Sequence, residues 1–287
     1  MWIISFWIFP VISACMWIAM LLAMLGHWAA IGTPHYVSME RTQTIAYISD
    51  IGATGLKPLF ITGSVITVVF LDLAFLSERW LRHARKLVPN KGKWDKACAC
   101  ISIFFSIAGA LGLILLSIYD TVHYPHVHDG CLLLFMVAYL ISAIFICLEY
   151  LRLGIFYRGQ HRILFASFWI KLSFIVIEVA LAIGFGVCHQ HPDRRNASAV
   201  LEWVIALVFT FYVLSFVIDL LPSVRTRTRV PQGEKNLAMA EAGVGRGSTV
   251  SYERPLTVDS AGPNTNTYRG QVVDGRPLQN PNPDVNF

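Results

Sequence analysis

Three histidines lie close together between two apolar runs, in the segment "YDTVHYPHVHDG". The segment contains His123, His126 and His128, with Asp120 and Asp129 beside them. Imidazole and carboxylate groups bind metals, and imidazole also transfers protons near neutral pH. Pro125 interrupts the segment, which we therefore interpret as an eleven-residue loop and not as a helix that presents ligands on one face. Between a metal site and a polar loop joining two membrane spans we favour the loop, and we predict neither a bound metal nor a cofactor.

Ionisable side chains also occur inside long apolar runs, where each costs about 2.5 to 3.5 kcal/mol at the centre of a membrane helix. They are Asp72, Lys171 and Glu178. Lys171 and Glu178 are seven residues apart, so they share a helical face but lie roughly 10 Å apart along the axis. We therefore expect Lys171 to pair with Asp72. A structural ion pair and a functional polar cavity near Glu178 both stay open as interpretations.

A third candidate site is the polar turn "YISDIGATG". Tyr47, Ser49 and Asp50 precede two glycines and an apolar run. Serine and aspartate accept hydrogen bonds from backbone amides at helix starts, so the turn can be a helix cap. A Ser49 nucleophile would instead need a base, and His128 or His123 would have to approach it.

The composition places these residues in a membrane protein. Of 287 residues, 55% are hydrophobic and only 14% are charged, whereas soluble domains are about 45 to 50% apolar. Because a helix needs roughly 20 apolar residues to cross the bilayer, we predict an all-α integral membrane protein with six spans. The predicted spans are 3 to 27, 59 to 77, 97 to 118, 131 to 151, 164 to 187 and 200 to 221.

Basic residues set the predicted orientation, because short loops rich in lysine and arginine stay in the cytosol. The loop "SERWLRHARKLVPNKGKWDK", the loop at 152–163 and the start of the tail, "RTRTR", carry most of them. This predicts that both termini are cytosolic and that the histidine segment is on the outer face. The net charge of +5 is thereby explained by topology and lipid contact, and we predict no nucleic-acid partner.

The chain changes character after residue 221. Residues 222–287 are rich in Gly, Pro, Asn and Ser, a composition that buries too little apolar surface to offset the entropy of ordering. We predict a membrane domain over 1–221 and a disordered cytosolic tail over 222–287, with short-motif contacts to a cytosolic protein as a use for the loops and tail.

Three covalent modifications are open at this point. Cys98 and Cys100 lie at a predicted cytosolic span end that suits palmitoylation. Cys131 and Cys188 lie on the predicted outer side, where a disulfide could form, although buried free thiols are the simpler interpretation. Asn196 heads a glycosylation sequon that we expect to be unused because it is too near the membrane.

Several short motifs together resemble one membrane family. They are "AYISDIGA" before the second span, "SIYDTVHYPHVH" between the third and fourth, and "EW" opening the sixth, which is followed by "SFVIDL". In order and placement they resemble the FRAG/DRAM/SFK family, also described as a CWH-type N-terminal domain. The matching positions are Tyr47, Ser49, Asp50, Gly52, Asp120, Tyr124, Pro125, His128, Glu202 and Trp203.

The resemblance implies about six spans and a role in lipid biology. Members of the family include a factor that remodels GPI-anchor lipid, a plasma-membrane partner of phosphatidylinositol 4-kinase that influences phospholipid asymmetry, and lysosomal autophagy modulators. It therefore implies membrane lipids as partners, including GPI-anchor or phosphoinositide lipids. The compartment it implies is an endomembrane (Golgi, ER, vacuole or lysosome) or the plasma membrane.

Two functions stay in competition. We favour a non-enzymatic organiser or recruiter, because no nucleophile with an assured base is evident. The alternative is a lipid-remodelling transferase or hydrolase with Asp50, His128 and Ser49 as candidate catalytic residues at the outer face. An ion transporter that uses the three intramembrane ionisable residues is the least favoured function.

Overall fold

The computed structural model describes residues 5–84, 87, 92–156 and 162–221, together with the backbone of 272–273 and 276–277. Several residues that carried predictions lie outside these ranges: Arg85, Lys86, Lys91, Arg158 and nearly all of the tail predicted to be disordered. The predicted recruitment of a cytosolic partner through the loops and tail therefore concerns a part of the chain that the structure does not describe.

All regular secondary structure in the described membrane region is helical. The helices are α1 (Ile8–Ala30), α2 (Ile48–Gly52), α3 (Lys57–His83), α4 (Lys93–Ile118), α5 (Pro125–Phe156), α6 (Arg162–His189) and α7 (Arg195–Leu220), with a 3-10 turn at Pro192–Arg194 before α7. A separate unit, residues 236–287, contains a two-residue antiparallel pair between β1 (Val272–Val273) and β2 (Arg276–Pro277).

The predicted membrane fold is confirmed: among the described residues, six helices are long and apolar enough to cross a membrane. Several of them extend beyond the apolar runs, since a helix continues through the polar interface once it has left the hydrocarbon. The largest difference is at α5, which begins at Pro125. The prediction that residues 125–130 form a loop is therefore wrong, because proline is well suited to the first turn of a helix.

The six long helices form a closed ring in chain order. Each contacts the next, and α7 also contacts α1, while α3 reaches α7 as well. Successive spans run in opposite directions, so residues 31–56, 119–124 and 190–194 lie at one end of the bundle. We call this end the motif end, because it carries most of the family-like residues, and the opposite end the terminal end.

Small residues allow the closest helix approach in the ring. A Cβ atom at Gly112 of α4 would lie 2.7 Å from the backbone nitrogen of Phe135 in α5. Without a strong hydrophobic drive between helices in lipid, such close backbone contact supplies much of the van der Waals attraction that joins them. The side chains that point out of the ring are largely apolar, as expected for contact with lipid.

Candidate functional site

The Asp50 carboxylate, at the motif end, accepts hydrogen bonds from the loop that surrounds it. Its Oδ1 accepts a hydrogen bond from the Ser38 hydroxyl at 2.6 Å, and its Oδ2 accepts from the Tyr47 backbone N–H at 3.0 Å and the Gln43 side-chain amide at 3.3 Å. The side chain is almost fully buried. These contacts cap helix α2, so the cap interpretation of this turn has direct geometric support.

The start of α7 holds the same loop through several side chains. The Glu202 carboxylate accepts from the Ile48 N–H at 2.8 Å, and the Trp203 indole donates to the Ala46 carbonyl at 3.0 Å. Asn196 Oδ1 accepts from the N–H groups of Thr44 and Ile45 at 2.7 and 3.0 Å. Through these contacts Glu202, Trp203 and Asn196 bind the segment that leads into α2, which we call the first-motif loop.

Tyr47 joins the two elements further. Its hydroxyl donates to the carbonyl oxygen of Arg195 at 3.3 Å. Burial raises the pKa of the Tyr47 phenol above its ordinary value, so the group stays protonated and remains a donor.

Asp120 organises a second cluster at the motif end. Lys57 of α3 donates to its Oδ2 at 2.7 Å, and the His123 backbone N–H and ring Nδ1 each approach its Oδ1 at 2.8 Å. Burial alone would raise the pKa of Asp120, but the hydrogen bonds from Lys57 and His123 outweigh it and hold this pKa below the ordinary value. The cluster ties the start of α3 to the turn between α4 and α5.

The three histidines have different environments. His128 is buried, and its Nδ1 donates to the Tyr119 carbonyl oxygen at 2.8 Å, which places the proton on that nitrogen. His123 contacts Asp120, and His126 is exposed. Within the described ranges, no group of three His, Cys, Asp or Glu side chains is placed to hold a metal ion.

The candidate catalytic residues are not assembled into one site. Asp50 contacts its own loop and His128 contacts the α4–α5 turn, and no hydrogen bond or ion pair between described residues joins either of them to the other or to Ser49. Gly52 has a packing role, because a Cβ there would lie 2.5 Å from Phe60 Cδ1. Tyr124 supports the turn through its backbone and an edge contact with Tyr119, and Pro125 starts α5.

A cavity of about 410 Å³ lies between the helices. Its walls are mostly apolar and come chiefly from α5, α6 and α7, for example Leu132, Phe185 and Ile205. Four polar side chains of the lining lie toward the motif end, and they are Ser49, Asp129, His189 and Glu202. This volume is within the usual range of ligand sites, about 300 to 1,000 Å³.

Glu178 lines the same cavity at greater depth. It precedes the end of α6 by eleven residues, which corresponds to about 16 Å along the helix axis. Its Oε1 is buried and has no hydrogen-bond partner in the described structure. The position of Glu178 fits the polar-cavity interpretation, whereas the ion-pair interpretation concerns Lys171.

The predicted pair between Lys171 and Asp72 is wrong. Lys171 forms an ion pair with Asp219 of α7 and hydrogen-bonds Ser167, while Asp72 accepts a hydrogen bond from Ser106 of α4. The chain order of the ring explains this, because α6 contacts α7 and α5, whereas α3 lies beyond them. Asp219 is buried as well.

A second buried ionic cluster near the terminal end escaped sequence reasoning. Arg82 pairs with Glu78 at 2.7 Å, and the Tyr150 hydroxyl donates to Glu78 at 2.6 Å. Arg79 pairs with Glu149, which is fully buried. The basic residues of the loop "SERWLRHARKLVPNKGKWDK" were interpreted only as a sign of membrane orientation. The signal that could have revealed the cluster is the i, i+4 spacing of Glu78 and Arg82 beside an apolar run.

The cysteines and the sequon are also located. All six cysteines are free thiols, including Cys131 and Cys188, so no disulfide joins the latter pair. Cys98 is partly exposed and Cys100 is exposed, which leaves their palmitoylation a prediction. The side-chain oxygen of Asn196 accepts hydrogen bonds from the first-motif loop, and the absence of a glycan from the sequon stays a prediction.

Comparison with known proteins gives the family. A model of the Frag1/DRAM/Sfk1/Cwh43P N-terminal domain matches residues 5–223. The chain belongs to this family. This Frag1/DRAM/Sfk1 member is thus a multi-pass integral membrane protein, and the resemblance noted in its motifs is confirmed.

Two yeast proteins are similar to this Frag1/DRAM/Sfk1 member. Protein sfk1 of Schizosaccharomyces pombe (strain 972 / ATCC 24843) is 33% identical over 222 residues, which cover 77% of this chain and 66% of that protein. Protein SFK1 of Saccharomyces cerevisiae (strain ATCC 204508 / S288c) is 28% identical over 273 residues, which cover 73% of this chain and 77% of that protein. The chain thus spans just under two thirds of the fission-yeast relative. No solved structure matches it.

Proposed function

We propose that this protein binds a membrane lipid in its interhelical cavity and acts in lipid organisation without catalysing a reaction. The observation that carries the proposal is the distribution of chemistry along the cavity: an apolar wall within the membrane span and polar side chains concentrated toward the motif end. A membrane lipid has the same distribution, with hydrocarbon inside the bilayer and a polar head at the interface.

The motif residues support the non-enzymatic form of the proposal. The oxygens of Asp50 and Asp120 are occupied by hydrogen bonds from their own loops and from Lys57. Ser49 lines the cavity, but no base among the described residues contacts its hydroxyl. A hydrolase or transferase needs a base within hydrogen-bond reach of its nucleophile. Of the motif residues, Ser49 and Glu202 line the cavity, whereas Asp50 and Asp120 hold the loops at the motif end.

A matched pair of neighbouring residues in α6 allows a sharp test. Ala182 lines the cavity, whereas the next residue, Ile183, points out of the bundle and is 63% exposed. The change Ala182→Phe puts an aromatic ring into the cavity, and Ile183→Phe puts the same ring into the surrounding lipid. Both variants are compared with the wild type after their thermal midpoints have been shown to match that of the wild type.

The measurement is the amount of lipid that remains on the purified protein, determined by extraction and mass spectrometry. We expect Ala182→Phe to lose most of the bound lipid and Ile183→Phe to keep it. Retention of lipid by Ala182→Phe at the level of the wild type would overturn the proposal, as would equal loss from both variants.

A further inference from the structure

The charges that line the cavity indicate which kind of head group it accepts. Three carboxyl groups line it: Asp129 at the start of α5, Glu202 in α7 and Glu178 deeper in α6. No lysine or arginine side chain is among the lining residues in the described part of the chain. Apart from His189, the ionisable side chains that the cavity offers a ligand are therefore acids, which can carry only negative charge.

The one imidazole in the lining does not reverse this sign. The Arg195 guanidinium lies 3.1 Å from His189 Nδ1 and 3.3 Å from its Nε2. Since guanidinium only donates hydrogen bonds, the nitrogen that it contacts must accept, which requires the neutral form of the ring. Arg195 also pairs with Glu40 at 2.9 Å, so its charge is already balanced.

Because the acidic side chains of the lining have no basic partner among the described residues, a cationic ligand would stabilise their charged forms. Glu178 has a buried oxygen with no hydrogen-bond partner, and Glu202 receives its hydrogen bonds from backbone N–H groups of α2. Burying a carboxylate in a low-dielectric site is costly unless a cation or donor meets it. An ammonium group supplies both charge and N–H donors.

We infer that the cavity takes a lipid whose head group carries a positively charged amine, which the acidic lining side chains Asp129, Glu178 and Glu202 together attract. Lipids with a net negative head group, phosphoinositides included, are disfavoured because like charges in a low-dielectric site repel strongly. This inference rests on the proposed lipid-binding function.

The test compares two probe lipids with identical acyl chains, phosphatidylethanolamine and phosphatidylglycerol. Delipidated full-length protein in detergent is incubated with each lipid, and retained lipid per protein is measured after gel filtration. We expect the wild type to favour phosphatidylethanolamine by at least about tenfold, the ratio that roughly 1.4 kcal/mol produces. The double change Asp129→Asn, Glu178→Gln should reduce this preference to within about threefold.

The control is Asp193→Asn, because Asp193 is an exposed acid of the same end that does not line the cavity. It should keep the wild-type preference. Asp129→Asn alone, at an exposed position, is the variant to use if the double change does not fold. Equal retention of both lipids, or a preference for phosphatidylglycerol, would overturn the head-group inference while leaving lipid binding intact. Retention of neither lipid would overturn the lipid-binding function itself, and the inference with it.

Discussion

Lys171 of α6 and Asp219 of α7 form an ion pair inside the bundle, with side chains 0% and 4% exposed. The Lys171 ammonium also lies 4.3 Å from the centroid of the Phe216 ring. Removing one partner of a buried pair leaves an uncompensated charge and costs about 3 to 5 kcal/mol. We expect Lys171→Met to lower the free energy of unfolding by that amount, as measured by SDS denaturation.

The double change Lys171→Met, Asp219→Leu should recover most of this loss, since it removes both charges. The matched control is Lys171→Met with Asp72→Leu, because Asp72 contacts Ser106 and not Lys171. In this control the losses in the free energy of unfolding caused by the two substitutions should add. Recovery in the Asp72 combination, and none in the Asp219 combination, would contradict the observed pairing.

The Tyr150 hydroxyl bonded to Glu78 gives a second prediction. Both side chains are almost fully buried, and the bond is 2.6 Å long. Tyr150→Phe should cost about 1.5 to 3 kcal/mol, the contribution of a hydrogen bond to a charged group. Tyr124→Phe is the control, because that side chain is 54% exposed. If the two variants unfold at the same SDS concentration, the Tyr150 bond contributes nothing.

Gly52 is predicted to be required for space. A Cβ there would meet Phe60, whereas a Cβ at Gly55 would meet nothing within 4 Å. Gly52→Ala should therefore destabilise the protein by about 1 to 3 kcal/mol, and Gly55→Ala should be close to neutral. Adding Phe60→Leu should restore part of the Gly52→Ala loss. A Gly52→Ala protein with the thermal midpoint of the wild type would show that the helix α2 packing is not tight.

Asn196 is predicted to carry no glycan, because it lies too near the membrane for the transferase to reach. Its side-chain oxygen holds the first-motif loop through Thr44 and Ile45. Protein isolated from eukaryotic cells should keep its gel mobility after endoglycosidase treatment. Asn196→Ala should lower stability by about 1 kcal/mol through loss of these hydrogen bonds. A mobility shift on deglycosylation that Asn196→Ala abolishes would refute this account of the sequon.

Sequence reasoning predicted the spans well because the bilayer imposes one length and one polarity on every spanning helix. It misplaced the start of α5 because the polar turn at Pro125 lies outside the hydrocarbon, where hydropathy carries no signal. It also misassigned the partner of Lys171. Depth along the membrane was judged from span length, but the choice between Asp72 and Asp219 depends on which helices are neighbours in the ring.

The candidate site was only partly accessible from sequence for a related reason. The polar character of Asp50, Asp120 and Glu202 was evident, but their partners come from distant segments, as with Glu202 and Ile48, 154 residues apart. The cavity itself has no local sequence signature, because its lining residues are ordinary apolar side chains of several helices.

The central claim is that a lipid occupies this cavity, and photolabelling in membranes tests it most directly. The probe is a phospholipid with a diazirine near the middle of one acyl chain, and labelled peptides are mapped by mass spectrometry. The account predicts concentrated labelling of cavity-lining residues such as Leu132, Met136 and Ile205, and its loss in Ala182→Phe but not in Ile183→Phe. Labelling confined to lipid-facing residues such as Phe104 and Leu111 in both variants and the wild type would contradict it.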